Sequence, residues 1–289
     1  MNQRFIGFSA LSLLVCASAG LVGCTEEAAD STDIKTSGIH AVFIAEAKGD
    51  GMTVVTGALH VASSTGTPLE LKGSDELFTK VVAESKALGS TNTQGLYRAS
   101  FGTEAGGSKV VVDFNRASED VSALGSEVTL PAPFTLSLDG FAAGSAIQRG
   151  KDVNLKMEPT GMGNVSWSLS GTCIWDKSGT AGDDGTIMIP AADVDPTLSG
   201  EGKTCEVTVV IDRVNQGTLA SQFKEGGSIS ARQRRSVAFN STPAPGEMMQ
   251  AGTGGAGSTG GTMGVGGSTS AAGGMSSAGT SGGGAGGAN

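Results

Sequence analysis

Val165-Ser166-Trp167-Ser168-Leu169 alternates apolar and polar residues without a break. Successive side chains of an extended strand point to opposite faces. A period of two therefore buries Val165, Trp167 and Leu169 and leaves the two serines to solvent. On a helix Trp167 would fall on the opposite side from Val165 and Leu169, so the three would share no apolar face. Phe134–Leu138 and Val153–Met157 repeat the alternation, Thr186–Ile189 is a short run, and Cys205–Ile211 and Ser228–Phe239 are longer ones. Gly, Asp and Pro separate these runs at intervals of roughly 10–20 residues, the texture of an antiparallel β-sandwich.

The preceding hundred residues share that texture. Ile39–Ala45 and Met52–Val61 are strand candidates joined by the turn residues Lys48-Gly49-Asp50-Gly51. Leu69 begins a third strand. Leu96–Phe101 and Lys109–Phe114 read as a hairpin about Gly106-Gly107, and Val128–Pro131 closes the unit. Ser74–Leu88 has two readings. One is a helix capped by Ser74 and stopped at Gly89; the other is a hairpin turning at Ala83–Lys86, which Phe78, Thr79, Val81 and the β neighbours favour. Pro131 and Pro133 mark a junction, so the expectation is all-β, with two tandem sandwich domains at 38–132 and 133–242.

The chain opens differently. Met1–Arg4 is a short basic start, and Phe5–Val22 is apolar and small. That is the size of a signal-peptide core and short for a span of about 20 apolar residues. It ends in Leu21-Val22-Gly23-Cys24, which resembles the lipobox of bacterial lipoproteins. The resemblance implies removal of residues 1–23, attachment of a diacylglycerol to the Cys24 sulfur and acylation, palmitate-like, of its amine. Two or three chains anchor stably where one does not. Thr25 stands where family members retained in the inner membrane often carry Asp, which by analogy implies the outer membrane of a Gram-negative cell, on either its periplasmic or its surface face. Residues 24–37, with Glu26, Glu27, Asp30 and Asp33, read as a lipidated acidic tether.

Composition sets further bounds. The 289 residues carry a net charge of −9 and 4% aromatics. Residues 25–132 hold 15 acidic and 8 basic side chains, and 133–242 hold 12 and 10. Neither half has the basic excess that nucleic-acid binding requires. Residues 243–289 contain 18 glycines, no aromatic residue and the single charge Glu247. Such a segment buries too little apolar area to offset its ordering entropy, so a disordered Gly/Ser/Ala-rich tail is expected, with a reach of about 35–40 Å.

After export only Cys173 and Cys205 remain as a free pair. In an oxidising compartment an even pair reads as a disulfide, and the two histidines, His40 and His60, sit far off in sequence as partners for a zinc set. His40 and His60 fall on neighbouring strands, with no nucleophile elbow nearby. Gly102–Lys109 departs from a phosphate-binding loop: its lysine is one place late and no helix follows. Asp176, Asp183, Asp184, Asp193 and Asp195 gather in a Gly-rich region where calcium is conceivable, although their spacing matches no EF-hand and turn aspartates account for them. Arg232, Arg234 and Arg235 read as charges guarding an edge strand.

Trp167 in a middle strand, followed by a cysteine-bearing strand, resembles immunoglobulin-like domains. Both cysteines follow Trp167 here, so the sandwich carries over and that family's disulfide position does not. The expected protein is a non-enzymatic, membrane-anchored envelope component with an unknown protein or polysaccharide partner. A hydrolase of envelope polymers and a calcium-dependent adhesin are the alternatives.

Overall fold

The computed structural model describes residues 27–116 and 120–247. The signal segment, Cys24 and the tail beyond Glu247 lie outside the described residues. In chain order the first half forms β1 (Ala29–Asp30), β2 (Ile39–Ala47), β3 (Thr53–Val61), β4 (Leu69–Glu70), β5 (Glu76–Val81), β6 (Glu84–Ala87), β7 (Gly89–Ser90), β8 (Leu96–Phe101), β9 (Lys109–Asn115) and β10 (Ala123–Thr129). The second forms β11 (Thr135–Leu138), β12 (Ala146–Gln148), β13 (Val153–Glu158), β14 (Asn164–Gly171), β15 (Lys177–Gly182), β16 (Thr186–Ile189), β17 (Cys205–Gln216) and β18 (Gly227–Thr242). The fold is all-β: apart from three short 3-10 turns, the described residues contain no helix.

The alternation read from the sequence is the alternation of burial. In β14, Val165, Trp167 and Leu169 are buried and Ser166 and Ser168 exposed. In β2 the same alternation holds from end to end, and in β3 it holds as far as His60. The turn Lys48–Gly51 joins them as an antiparallel hairpin, and residues 74–88 form the β5–β6 hairpin rather than a helix.

One sheet runs in the order β15-β14-β17-β18-β2-β3-β8-β7. A four-stranded sheet, β10-β9-β5-β6, and a three-stranded sheet, β11-β13-β16, complete two hydrophobic cores against it. Phe43, Leu59, Phe101 and Phe114 belong to the first, and Leu155, Met157, Leu169 and Phe239 to the second. All eight are sealed from solvent, and each contributes about 1.5–3 kcal/mol through its removal from water.

The two cores share β18. On one side β18 pairs with β17 from Ser230↔Gln216 to Ser241↔Cys205. On the other it pairs in parallel with β2 over Gly227–Gln233, then in parallel with β12 over Asn240–Thr242. Its inward residues Ile229 and Ala231 enter the first core, and Val237 and Phe239 the second. Between them lie Gln233 and Arg235, so the apolar stripe is interrupted once. At about 3.3 Å per residue the sixteen-residue strand spans about 50 Å. Packing also crosses the Pro131–Pro133 junction: Ala220 and Phe223, from the later segment, complete the first core.

Three expectations change. β8 and β9 are not a hairpin: β8 pairs with β3 and β7, whereas β9 pairs with β5 and β10. Residues 102–108 form a corner from one sheet to the other, and Gly106 passes so close to Ala132 and Pro133 that a Cβ would lie 2.8–2.9 Å from their atoms. The acidic leader is seated rather than free from Ala29 onward, because β1 pairs with β4 and both Ser31 and Thr36 are buried. The arginines of β18 are not on an edge strand of the sheet: Arg232 has partners on both sides, and Arg234 and Arg235 pair with β17 in the short stretch between the β2 and β12 pairings.

Candidate functional site

Three arginines, buried or nearly so, mark the two ends of the body and the joint between its cores. An uncompensated buried guanidinium is costly, so each is surrounded by acceptors.

Arg116 follows β9 and is 1% exposed in its side chain. Its Nη1 donates to Ile34 O at 2.7 Å and Asp120 Oδ2 at 2.8 Å, its Nη2 donates to Ser31 O, and its Nε donates to Asp75 Oδ2 at 3.2 Å. Asp120 also accepts the Thr36 backbone N–H, which is the main reason its carboxyl is held below the ordinary range; the Arg116 charge adds to this. The cluster latches residues 31–36 to the first core.

Arg213 leaves β17 at the joint. Its guanidinium forms a forked pair with Asp183 and donates to Ala132 O at 2.8 Å and Pro159 O at 3.0 Å. The Phe134 ring has two cations within cation–π range, Arg213 at 4.9 Å and Arg235 at 5.5 Å. Gln233 Nε2 bridges Glu104 O at 2.8 Å and Pro131 O at 3.3 Å. An open cleft of about 350 Å³ beside the joint is lined by Phe134, Pro133, Pro159, Glu104, Glu158 and Arg235.

Arg149, 2% exposed, lies at the far end. It holds the Glu247 carboxylate through Nη2 at 2.7 Å and Nε at 2.9 Å, donates to Lys203 O at 2.9 Å and Ser241 Oγ at 3.2 Å, and places Nη1 3.6 Å from Cys173 Sγ. The Arg149 hydrogen bond holds Glu247 below the ordinary carboxylate range. Cys173 and Cys205 are disulfide-bonded with Cα atoms 5.8 Å apart, joining the turn after β14 to the first residue of β17.

The aspartates considered for calcium do not converge. Asp183 is consumed by Arg213, Asp184 caps the turn by accepting the Thr186 N–H at 3.2 Å, and Asp176 is exposed. Among the described residues no group of three or more His, Cys, Asp or Glu side chains could hold a metal ion. His40 and His60 are directly opposite on β2 and β3, and His40 Nδ1 lies 3.0 Å from Glu225 O. Arg232 and Arg234 converge on Glu46, and Arg234 also forks onto Asp212 at 2.7 Å. Burial would raise the Glu46 carboxyl, but the Lys48 hydrogen bond and the two arginines outweigh it and the group stays low.

No family model matches the chain, and no curated protein matches it. Similar solved structures include the FN1–FN3 domains of chicken CNTN1, with TM-score 0.28 and 8% identity over 69% of this chain and 66% of that one. The IG1+IG2 fragment of DIP-gamma has TM-score 0.20 and 8% identity over 71% and 98%. Trypsin-activated alpha-2-macroglobulin from Escherichia coli has TM-score 0.21 and 11% identity over 73% and 16%. The chain spans just under two thirds of the chicken fragment. These likenesses carry no functional argument.

Proposed function

We propose that the chain is a non-enzymatic lipoprotein of the Gram-negative outer membrane. Cys24 anchors it, two tandem immunoglobulin-like sandwiches form its body, and their surface is presented to a protein or polysaccharide partner. The observation that carries this reading is the β17–β18 ribbon. The entry of the chain, through β1 and the start of β2, lies at the Gly227 end of β18. The exit, at Thr242 and Glu247, lies at the other end, about 50 Å away. With Ala29 already in a strand, only residues 25–28 separate the lipid from the body, a reach of at most about 14 Å. Glu247, the last described residue, therefore lies at the far end of the ribbon from the residues nearest the proposed lipid.

Membrane fractionation with Cys24→Ala, combined with protease treatment of intact cells, tests the reading. The wild-type chain should fractionate with the outer membrane and the variant should be released. Retention of the variant, or loss of the wild type to the soluble fraction, would overturn it.

A further inference from the structure

The Cys173–Cys205 bond has an asymmetric environment that a purely structural disulfide does not need. Cys173 is 3% exposed and its sulfur accepts from the guanidinium of Arg149, itself 2% exposed, at 3.6 Å. Cys205 is half-buried, and its sulfur receives only the Cys173 backbone N–H at 3.2 Å. A thiolate beside a buried guanidinium is stabilised relative to its thiol, and a stabilised thiolate is the better leaving group. Cys205 is the less buried residue of the pair, and so the one a reductant reaches.

We infer that this disulfide is a site of directional thiol–disulfide exchange, attacked at Cys205 by a dithiol reductant, with Cys173 leaving as a thiolate held by Arg149. The reductant's thiolate bonds to Cys205 Sγ, the Cys173–Cys205 bond breaks, and its electron pair leaves on Cys173 Sγ. The reductant's second thiol then attacks the mixed disulfide and expels Cys205, which takes one proton; the other proton of the dithiol goes to solvent. Two electrons pass from the dithiol, oxidised to a disulfide, to the cysteine pair.

Glu247 makes the arrangement adjustable. Its carboxylate competes for the same guanidinium from the last described residue of the chain, at 2.7 Å. The charged groups facing Cys173 are thus Arg149 and, through it, Glu247, while Lys203 and Glu206 flank Cys205 in sequence. The two principal groups should act in opposite directions. Removing Glu247 leaves Arg149 to the Cys173 sulfur and should speed reduction; removing Arg149 should slow it.

The test is the rate of reduction by dithiothreitol at pH 7, on the full chain carrying Cys16→Ser and Cys24→Ser. Arg149→Met should slow the reaction about three- to tenfold, Arg149→Lys should recover part of the loss, and Glu247→Gln should speed it about two- to threefold. Glutathione trapping followed by peptide mass analysis should place the mixed disulfide on Cys205. Should Arg149→Met fail to fold, Arg149→Lys and Glu247→Gln decide the matter through their opposite shifts. Glutathione on Cys173, unchanged rates, or shifts of Arg149 and Glu247 variants in the same direction would overturn the inference.

Discussion

Arg213 Nε lies 2.6 Å from Asp183 Oδ2 and Arg213 Nη2 lies 2.6 Å from Asp183 Oδ1, both side chains withdrawn from solvent. The pair crosses from β17 to the loop before β16 and rests against Phe134, the first aromatic residue past the junction. It fixes the point where one core gives way to the other.

Removing either partner strands the other. Asp183→Ala or Arg213→Ala should therefore cost about 3–5 kcal/mol. Replacing both at once, Asp183→Leu with Arg213→Met, should cost markedly less, because no buried charge is left. Urea unfolding of the four proteins gives the comparison. A double variant as unstable as the sum of the two singles would show that the charges are not coupled.

The disulfide encloses a loop with a sequence separation of 32 residues. In the chain-entropy account, Cys173→Ala with Cys205→Ala should lower stability by about 3–4 kcal/mol. The midpoint of denaturant unfolding measures this directly. A loss under about 1 kcal/mol would mean that the hydrogen bonds Trp175 N–H to Asp195 O and Thr197 N–H to Cys173 O already order the loop.

Gly179 is a packing probe. It lies under the Trp167 ring, and a Cβ there would sit 2.6 Å from Cζ2. Gly179→Ala should displace the indole and cost about 1–3 kcal/mol, since overpacking is as damaging as a void. Tryptophan emission should shift with it. An unshifted spectrum and unchanged stability would mean that β15 yields instead.

Acid should loosen both ends of the body. Asp120 and Glu247 are held below their ordinary range, chiefly by the Thr36 N–H and by Arg149 respectively. A depressed carboxyl stabilises the fold only while ionised. Its contribution is complete above the unfolded value near 4, and is lost as pH falls through the lower folded value. Tm should therefore hold steady from these groups above about pH 5 and decline below about pH 4, and Asp120→Asn should flatten part of that decline. The same Tm–pH slope in Asp120→Asn as in the wild type would remove this carboxyl from the account.

The strands were legible because a period of two is local: Val165–Leu169 states which side faces the core without reference to any other segment. The pairing was not. β8 and β9 flank a Gly-Gly pair as a hairpin would, yet a seven-residue corner carries the chain to another sheet, and the contacts that decide this lie at Ala132 and Pro133. Arg232, Arg234 and Arg235 were misread because charge in a strand suggests an edge; the partners that admit it to the centre, Glu46, Asp212 and Glu104, are scattered along the chain. The same holds for Arg116, Arg149 and Arg213, ordinary residues in sequence whose acceptors are backbone carbonyls and side chains scattered along the chain. The cysteine pair was legible because the other two cysteines, Cys16 and Cys24, fall in the segment read as signal and lipobox.

The most direct test of the central claim is energy transfer to a membrane. The lipidated protein would be reconstituted in vesicles containing an acceptor headgroup, with a donor dye at Ser37, beside the entry of β2, or at Ala244, just past the end of β18. Transfer should be strong from Ser37 and weak or absent from Ala244, about 50 Å farther along the ribbon. Equal transfer from the two positions, or stronger transfer from Ala244, would contradict a ribbon whose Thr242 end lies away from the bilayer.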